Sequence, residues 1–360
     1  MKEILISTGE YSGDLNASLF IKYFPKEIKF FGMGGKFLKQ NGVEILIDIE
    51  KSIIGFQEVL SNLEGIRKKL KILFYEAKKR KTKYALLVDY PGFNLLLAKY
   101  LKNLGIKIMY FIPPQIWAWG SWRIKTIKRY IDKVFVIFPF EAKIYKRYGI
   151  KSVYVGHPVE WRFRNYKIQM EKKEKYDKIG FLPGSREKEI ERLIPRFLKI
   201  KENLKNKNKN LKFLISIVHK NLKNKYKKNL NDFEIYENGV EVIKKSDILI
   251  IASGTASLEC AFLNKPFISV YTLSELSWFF GKLFAKVNYT NLVNILLNKK
   301  TIDEFIQRLP TDEIIKSLEK TWERRNEIIK DFEKIKNILK PIPEEKIKEE
   351  IEEFISGVPN

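Results

Sequence analysis

The sequence predicts an α/β protein with two parallel-sheet domains, helices on both faces of each sheet, and a helical C-terminal segment. Three observations carry this. The 360 residues suffice for two domains at about 150 residues each. Short β-rich runs alternate with amphipathic stretches, the pattern of strand–helix–strand crossovers. The alternation stops at Gly156-His157-Pro158, crosses a charged stretch at 160–177, and then starts again.

In the first half, strands are expected over 3–7, 84–89, 107–112, 133–138 and 152–155. Helices over 12–24, 57–80, 93–103 and 140–148 separate them, and Gly149 falls in a C-cap position after the last. In the second half, strands are expected over 178–182, 212–217, 234–236, 248–252 and 267–271. The lysine and asparagine run at 201–212 reads as an exposed helix end and loop. Beyond residue 300 the pattern turns helical, with Ile314, Ile315, Leu318, Trp322 and Ile329 at helical spacing. The expected division is 1–157, 158–335 and a terminal piece, 336–360, with packing back on the first domain as one option.

Composition excludes several classes. Apolar residues at 45% and aromatics at 13% mark a folded chain. Apolar runs such as 248–252 and 134–138 fall far short of the ~18–20 residues that span a bilayer. The N-terminal apolar run ends at Ser7, too soon for a signal peptide, so a soluble cytoplasmic protein is expected. A single cysteine, Cys260, leaves no intramolecular disulfide, and two histidines beside it leave a zinc site to carboxylates, so no metal is expected.

The net charge is +25, and it is uneven: residues 301–360 carry −4, so residues 1–300 carry +29. Lysine accounts for 55 of the 68 basic residues, and with abundant isoleucine and asparagine a purely compositional origin is equally compatible. Such a surface concentrates anionic partners. Neither a zinc finger nor an aromatic RNA-binding signature occurs, which puts a membrane surface or phosphorylated substrates ahead of nucleic acid.

On sheets of this kind ligands bind beyond the carboxyl ends of the strands. Four strand-to-helix turns therefore stand out. Gly9-Glu10-Tyr11-Ser12-Gly13-Asp14 lets backbone approach a ligand, although it equally suits an ordinary capped turn and lacks the spacing of a dinucleotide fingerprint. Leu182-Pro183-Gly184-Ser185-Arg186 opens a helix, where free N–H groups and the dipole favour an anion and Arg186 adds a bidentate fork. The glutamates that follow suit a well-capped helix as well. Ala252-Ser253-Gly254-Thr255-Ala256-Ser257-Leu258-Glu259 offers hydroxyls and N–H groups to phosphate, with Glu259 one turn on as an acceptor for ribose hydroxyls. Asp89-Tyr90-Pro91-Gly92-Phe93-Asn94 ends a strand with a carboxylate placed for general-base work, or for a turn before Pro91. No D-x-D pair occurs, which disfavours a metal-dependent sugar transferase.

Together these loops resemble lipid-A-disaccharide synthases, inverting and metal-independent glycosyltransferases of the GT-B type. Matching stretches also include Gly55-Phe56-Gln57-Glu58-Val59-Leu60, Pro114-Gln115-Ile116-Trp117-Ala118-Trp119, Phe138-Pro139-Phe140-Glu141 and Gly156-His157-Pro158. Each alone is weak; eight in the family's order, from residue 9 to about residue 297, are specific.

The resemblance implies two Rossmann-like domains facing a cleft, the first for the acceptor and membrane, the second for the UDP-sugar. It implies transfer of 2,3-diacylglucosamine from its UDP derivative to 2,3-diacylglucosamine 1-phosphate, giving the β-1,6-linked disaccharide 1-phosphate and UDP, without a cofactor. By likeness, Asp89 is the base. Gly184, Ser185, Arg186, Ser253, Gly254, Thr255, Glu259 and Asn294 fall on the nucleotide side, and Glu10, Ser12, Gly13, Asn94 and Arg123 on the acceptor side. The chain departs from the family at Gly92, where many relatives have a second aspartate, at Gly120, where Arg123 can replace a basic residue, and at Val293, where proline is frequent. Acylated substrates imply peripheral association with an anionic inner membrane, with 53–80 and 278–286 as docking segments. A homodimer stays open. The alternatives are a polyprenyl-linked N-acetylglucosamine transferase or UDP-sugar epimerase of the same architecture and, from another class, a basic nucleic-acid-binding protein.

Overall fold

The computed structural model describes residues 2–49, 63–117, 122–166, 173–272 and 289–357. It divides into two units, one of Met1–Trp161 with Leu339–Asn360, the other of Arg162–Ile338.

The first unit begins with β1 (Glu3–Ser7), α1 (Tyr11–Phe20), β2 (Lys29–Gly34), α2 (Lys36–Gln40), β3 (Glu44–Asp48) and α3 (Leu63–Lys79). It continues with β4 (Tyr84–Val88), α4 (Pro91–Lys102), β5 (Lys107–Phe111), α5 (Arg123–Tyr130), β6 (Lys133–Val136), α6 (Pro139–Arg147), β7 (Ser152–Tyr154) and α7 (Pro158–Phe163). The division between the units falls inside α7. The seven strands pair in parallel in the order β3-β2-β1-β4-β5-β6-β7. Central β4 is buried along its whole length, which is why it reads in the sequence as an unbroken apolar run, Tyr-Ala-Leu-Leu-Val. Helix α3 turns Leu70, Leu73 and Ala77 into the core while Arg67, Lys68, Lys71 and Lys78 stay exposed.

The second unit holds β8 (Lys178–Leu182), α8 (Glu187–Lys207), β9 (Lys212–Ser216), α9 (Lys220–Lys225), β10 (Phe233–Tyr236) and α10 (Gly239–Lys245). After these come β11 (Ile248–Ala252), α11 (Ala256–Phe262), β12 (Phe267–Tyr271), α12 (Leu292–Leu297), β13 (Glu304–Ile306), α13 (Thr311–Glu323) and α14 (Arg325–Ile338). Its six strands are parallel in the order β10-β9-β8-β11-β12-β13. A second apolar cluster, separate from the first, fills this unit.

In both sheets the strand order reverses beside the first strand, between β1 and β4 and between β8 and β11. Those are the switch points where open parallel sheets bind ligands. All four loops singled out by sequence follow these four strands.

The last helix, α15 (Glu344–Ser356), belongs to the first unit. Ile347, Ile351 and Ile355, four residues apart, form its buried stripe. Lys133 Nζ, at the start of β6, meets Glu350 Oε2 at 2.5 Å, and Lys2 Nζ donates to Ile355 O at 3.1 Å. The helix thus covers the amino ends of the strands, away from the ligand end.

Some elements differ from expectation. Strands β2, β3 and β13 and helices α2, α5 and α7 are not among the expected elements. Glycines interrupt the apolar pattern of β2, and its pairing with β3 slips at Gly32/Met33. The three residues of β13 are too few to show a period. Helix α5 buries Ile127 alone. Lys201, read as part of an exposed run, is instead buried, with Nζ 2.9 Å from Asp232.

Candidate functional site

Asp89 follows the carboxyl end of β4, and both it and Tyr90 adopt left-handed backbone, at φ 48° and 51°. Two such residues in sequence cost about 1–3 kcal/mol each and persist only when surrounding bonds impose them. Here the bonds come from Asn94 and Tyr110. Asn94, fully buried in the first turn of α4, donates from Nδ2 to the carbonyls of Asp89 (2.7 Å), Val88 (3.1 Å) and Ser7 (3.2 Å), and accepts from Ser7 Oγ at 2.8 Å. The Tyr110 hydroxyl donates to Asp89 O at 2.8 Å. Burial first, then the Asp89 charge, push the Tyr110 phenol well up, and Arg123 opposes them, so both charges act on this one hydroxyl.

The loop after β1 closes on the same place. A Cβ at Gly13 would stand 2.3 Å from Thr8 Oγ1 and 3.9 Å from Asp89 Cβ, and one at Gly9 would stand 2.1 Å from the Tyr90 ring. Only glycines allow this approach. Glu10 adds its charge to the burial that raises the Tyr90 phenol, and Ser12 is exposed on the first turn of α1. Asp14 turns away to cap α2, accepting from Gly35 N at 2.7 Å and Phe37 N at 2.8 Å; burial still raises its pKa. Asp89, Glu10, Gly13, Asn94 and Arg123, named from sequence, are therefore gathered at one switch point.

Two further residues hold the loop after β5. Glu141, buried on α6, accepts from Trp117 Nε1 at 2.8 Å and Phe138 N at 3.2 Å, and Tyr145 Oη donates to Pro114 O at 2.7 Å. Burial pushes the Glu141 carboxyl up to about 7 from 4.5. The folded protein therefore keeps a proton that the unfolded chain releases, and stability falls as pH rises from about 4.5 to 7, by up to ~3 kcal/mol at 1.36 kcal/mol per unit. Glu141→Gln is expected to flatten the profile of melting temperature against pH over that window. An unchanged slope would assign the pH dependence to other groups.

In the second unit, Gly184 at φ 97° turns the chain from β8 into α8, and a Cβ there would fall 2.7 Å from Glu189 Oε2. Ser185 and Arg186 are exposed at the helix entrance. Arg186 Nη1 meets Glu189 Oε1 at 3.2 Å, an exposed pair of the kind that contributes little and yields to a stronger anion. His219 Nε2 donates to Ser185 O at 2.7 Å, a contact the sequence did not reveal.

The loop after β11 exposes Gly254 and Thr255 and ties Ser253 Oγ to Thr290 O at 2.9 Å. Glu259, in the first turn of α11, pairs through Oε1 with Arg162 Nη1 at 2.6 Å. Asn294 has no hand left for a ligand. Its Nδ2 donates to Ile302 O and Glu304 Oε1, both at 2.7 Å, and its Oδ1 accepts from Thr301 N and Ile302 N, both at 2.9 Å. It shapes the loop together with Glu304, whose carboxylate also accepts from Thr290 N at 2.8 Å, Thr290 Oγ1 at 2.6 Å and Asn291 N at 3.2 Å. Glu304 escaped the sequence reading because β13 did.

Three stretches singled out by sequence lie wholly or partly outside the described residues: 55–60, the Ala118-Trp119 end of the Trp117 motif, and 278–286. The 53–80 segment is described from Leu63 onward, as α3.

Comparison with known proteins bears on both units. The model of the lipid-A-disaccharide synthetase family matches residues 4–346. Lipid-A-disaccharide synthase 1 of Legionella pneumophila is 38% identical over 320 residues, covering 84% of this chain and 83% of that protein. Among solved structures, the S. aureus MnaA–UDP co-structure superposes with a TM-score of 0.65 at 15% identity, over 99% of this chain and 98% of the other. Glycyrrhiza uralensis UGT73P12, complexed with glycyrrhetinic acid 3-O-monoglucuronide, gives a TM-score of 0.60 at 9% identity, over 99% and 96%. Both are likenesses of fold.

Proposed function

This chain belongs to the lipid-A-disaccharide synthetase family, and from that premise we infer how its own residues carry the reaction. The activity is that of a UDP-sugar-dependent glycosyltransferase of lipid A synthesis. It transfers 2,3-diacylglucosamine from the UDP derivative to 2,3-diacylglucosamine 1-phosphate, forming a β-1,6 bond and releasing UDP.

A sugar 6-hydroxyl is a poor nucleophile, and Asp89 removes its proton as it attacks the anomeric carbon. One displacement inverts that centre. Negative charge then grows on the departing diphosphate, where the N–H groups opening α8 and the Arg186 guanidinium stabilise it. Ser253, Gly254 and Thr255 line the same side, and Glu259 accepts from the ribose hydroxyls. Glu10, Ser12, Gly13 and Arg123 serve the acceptor. The observation that carries the base assignment is a carboxylate at a switch point on a left-handed backbone clamped by Asn94 and Tyr110.

The test is to incubate the protein with both lipid sugars and look for the disaccharide by mass spectrometry. UDP released only when the acceptor is added excludes an epimerase. UDP released without it overturns the reading.

The acyl chains of both substrates require the enzyme to work at a membrane surface. Among the described residues no helix is long and apolar enough to cross a membrane. What supports peripheral docking is the +29 on residues 1–300 and the exposed face of α3, where Arg67, Lys68 and Lys71 flank Tyr75. Co-sedimentation with anionic liposomes should be strong at low salt and fall as salt rises. Equal binding to neutral vesicles at every salt concentration would make the charge compositional.

A further inference from the structure

We propose that Arg162 is a positioning residue for the nucleotide, presenting the Glu259 carboxylate to the ribose. This rests on the reading of Glu259 as the ribose acceptor. Arg162 stands 97 positions away in sequence, at the end of α7, in a stretch to which no role attaches. Its guanidinium is gripped from two sides. Nη1 donates to Glu259 Oε1 at 2.6 Å, and the planar group lies over the Phe163 ring at 4.9 Å. The two side chains are 23% and 15% exposed, so the ion pair is largely withdrawn from water.

Two physical consequences follow. A glutamate side chain has three rotatable bonds, and fixing it at the moment of binding carries an entropic penalty. Arg162 removes that freedom beforehand. The short charge-assisted bond also occupies one carboxylate oxygen, and among the described residues the other, Oε2, has no bonded partner. One oxygen is thus held by the protein and one is left for hydroxyl donors. Lysine cannot substitute fully, because it has neither the planar fork nor the stacking face of arginine.

The experiment compares UDP with 2′,3′-dideoxy-UDP by calorimetry on the full-length protein. The readout is the ratio of the two dissociation constants, which isolates the ribose contact. The wild type should favour UDP by tenfold or more, and Glu259→Gln should bring the ratio close to one. Arg162→Met should lower the ratio at least fivefold, through weaker UDP binding with dideoxy-UDP binding nearly unchanged. Arg162→Lys should fall between the wild type and Arg162→Met, and it supplies the readout should Arg162→Met not fold. A general loss of packing would weaken both nucleotides alike and leave the ratio untouched. A wild-type ratio in folded Arg162→Met, or in Arg162→Lys if that variant alone folds, overturns the proposal while the Glu259 reading stands. A wild-type protein that binds both nucleotides equally overturns the Glu259 reading, and the proposal with it.

Discussion

Asp89→Asn is expected to lower turnover by roughly 10²–10⁴, the usual worth of a general base, while UDP affinity and melting temperature stay nearly unchanged. The structure makes this a clean substitution. Position 89 sits at φ 48°, in the left-handed region where asparagine is the best tolerated residue after glycine. The main-chain carbonyl, not the carboxylate, accepts from Asn94 and Tyr110, so the clamp survives the exchange. Asparagine keeps the shape but loses the negative charge, and with it the ability to take a proton. Near-normal turnover under saturating substrates would show that Asp89 merely forms the turn, and the family assignment would remain. A large fall in melting temperature would instead mean that the carboxylate holds the fold.

Asn94→Ala should have the largest effect on stability, about 2–4 kcal/mol from several buried polar groups left short of partners. It strips donors from the carbonyls of Ser7, Val88 and Asp89 at one stroke, and it leaves the Ser7 hydroxyl without its acceptor. The two left-handed residues before α4 then lose much of what imposes their conformation, so turnover should fall at least tenfold even at saturating substrate. Asn94→Asp is the sharper comparison. An ionised aspartate still accepts from Ser7 but cannot donate to the three carbonyls, and it should behave like the alanine variant. Wild-type stability in Asn94→Asp, measured by thermal unfolding, would mean that the carbonyl clamp is not what holds the loop.

Much of the molecule was legible before any coordinates. Central strands such as β4, β8 and β11 are buried on both faces and therefore appear as apolar runs between turn signals. The four loops could be found for a related reason. A ligand-facing turn after a parallel strand needs small residues and a helix cap, and both leave marks in a few consecutive positions. Elements that bury little escaped: β13 with its three residues, β2 with its glycines, and α5 with a single core side chain.

The sequence by itself determined the two parallel α/β cores, the positions of the four loops and the identity of the family, because each is written in local periodicity or in short motifs. Only the tertiary structure decided what the side chains in those loops do. It joined Ser7 to Asn94 across 87 positions and set the Asn94 amide on the Asp89 carbonyl. It brought Arg162 to Glu259, and it enclosed Asn294 among Ile302, Thr301 and Glu304, committing its amide to the loop. A side-chain hydrogen bond of this kind has no period and constrains no neighbour in sequence. Its partners become visible only when the chain has returned on itself.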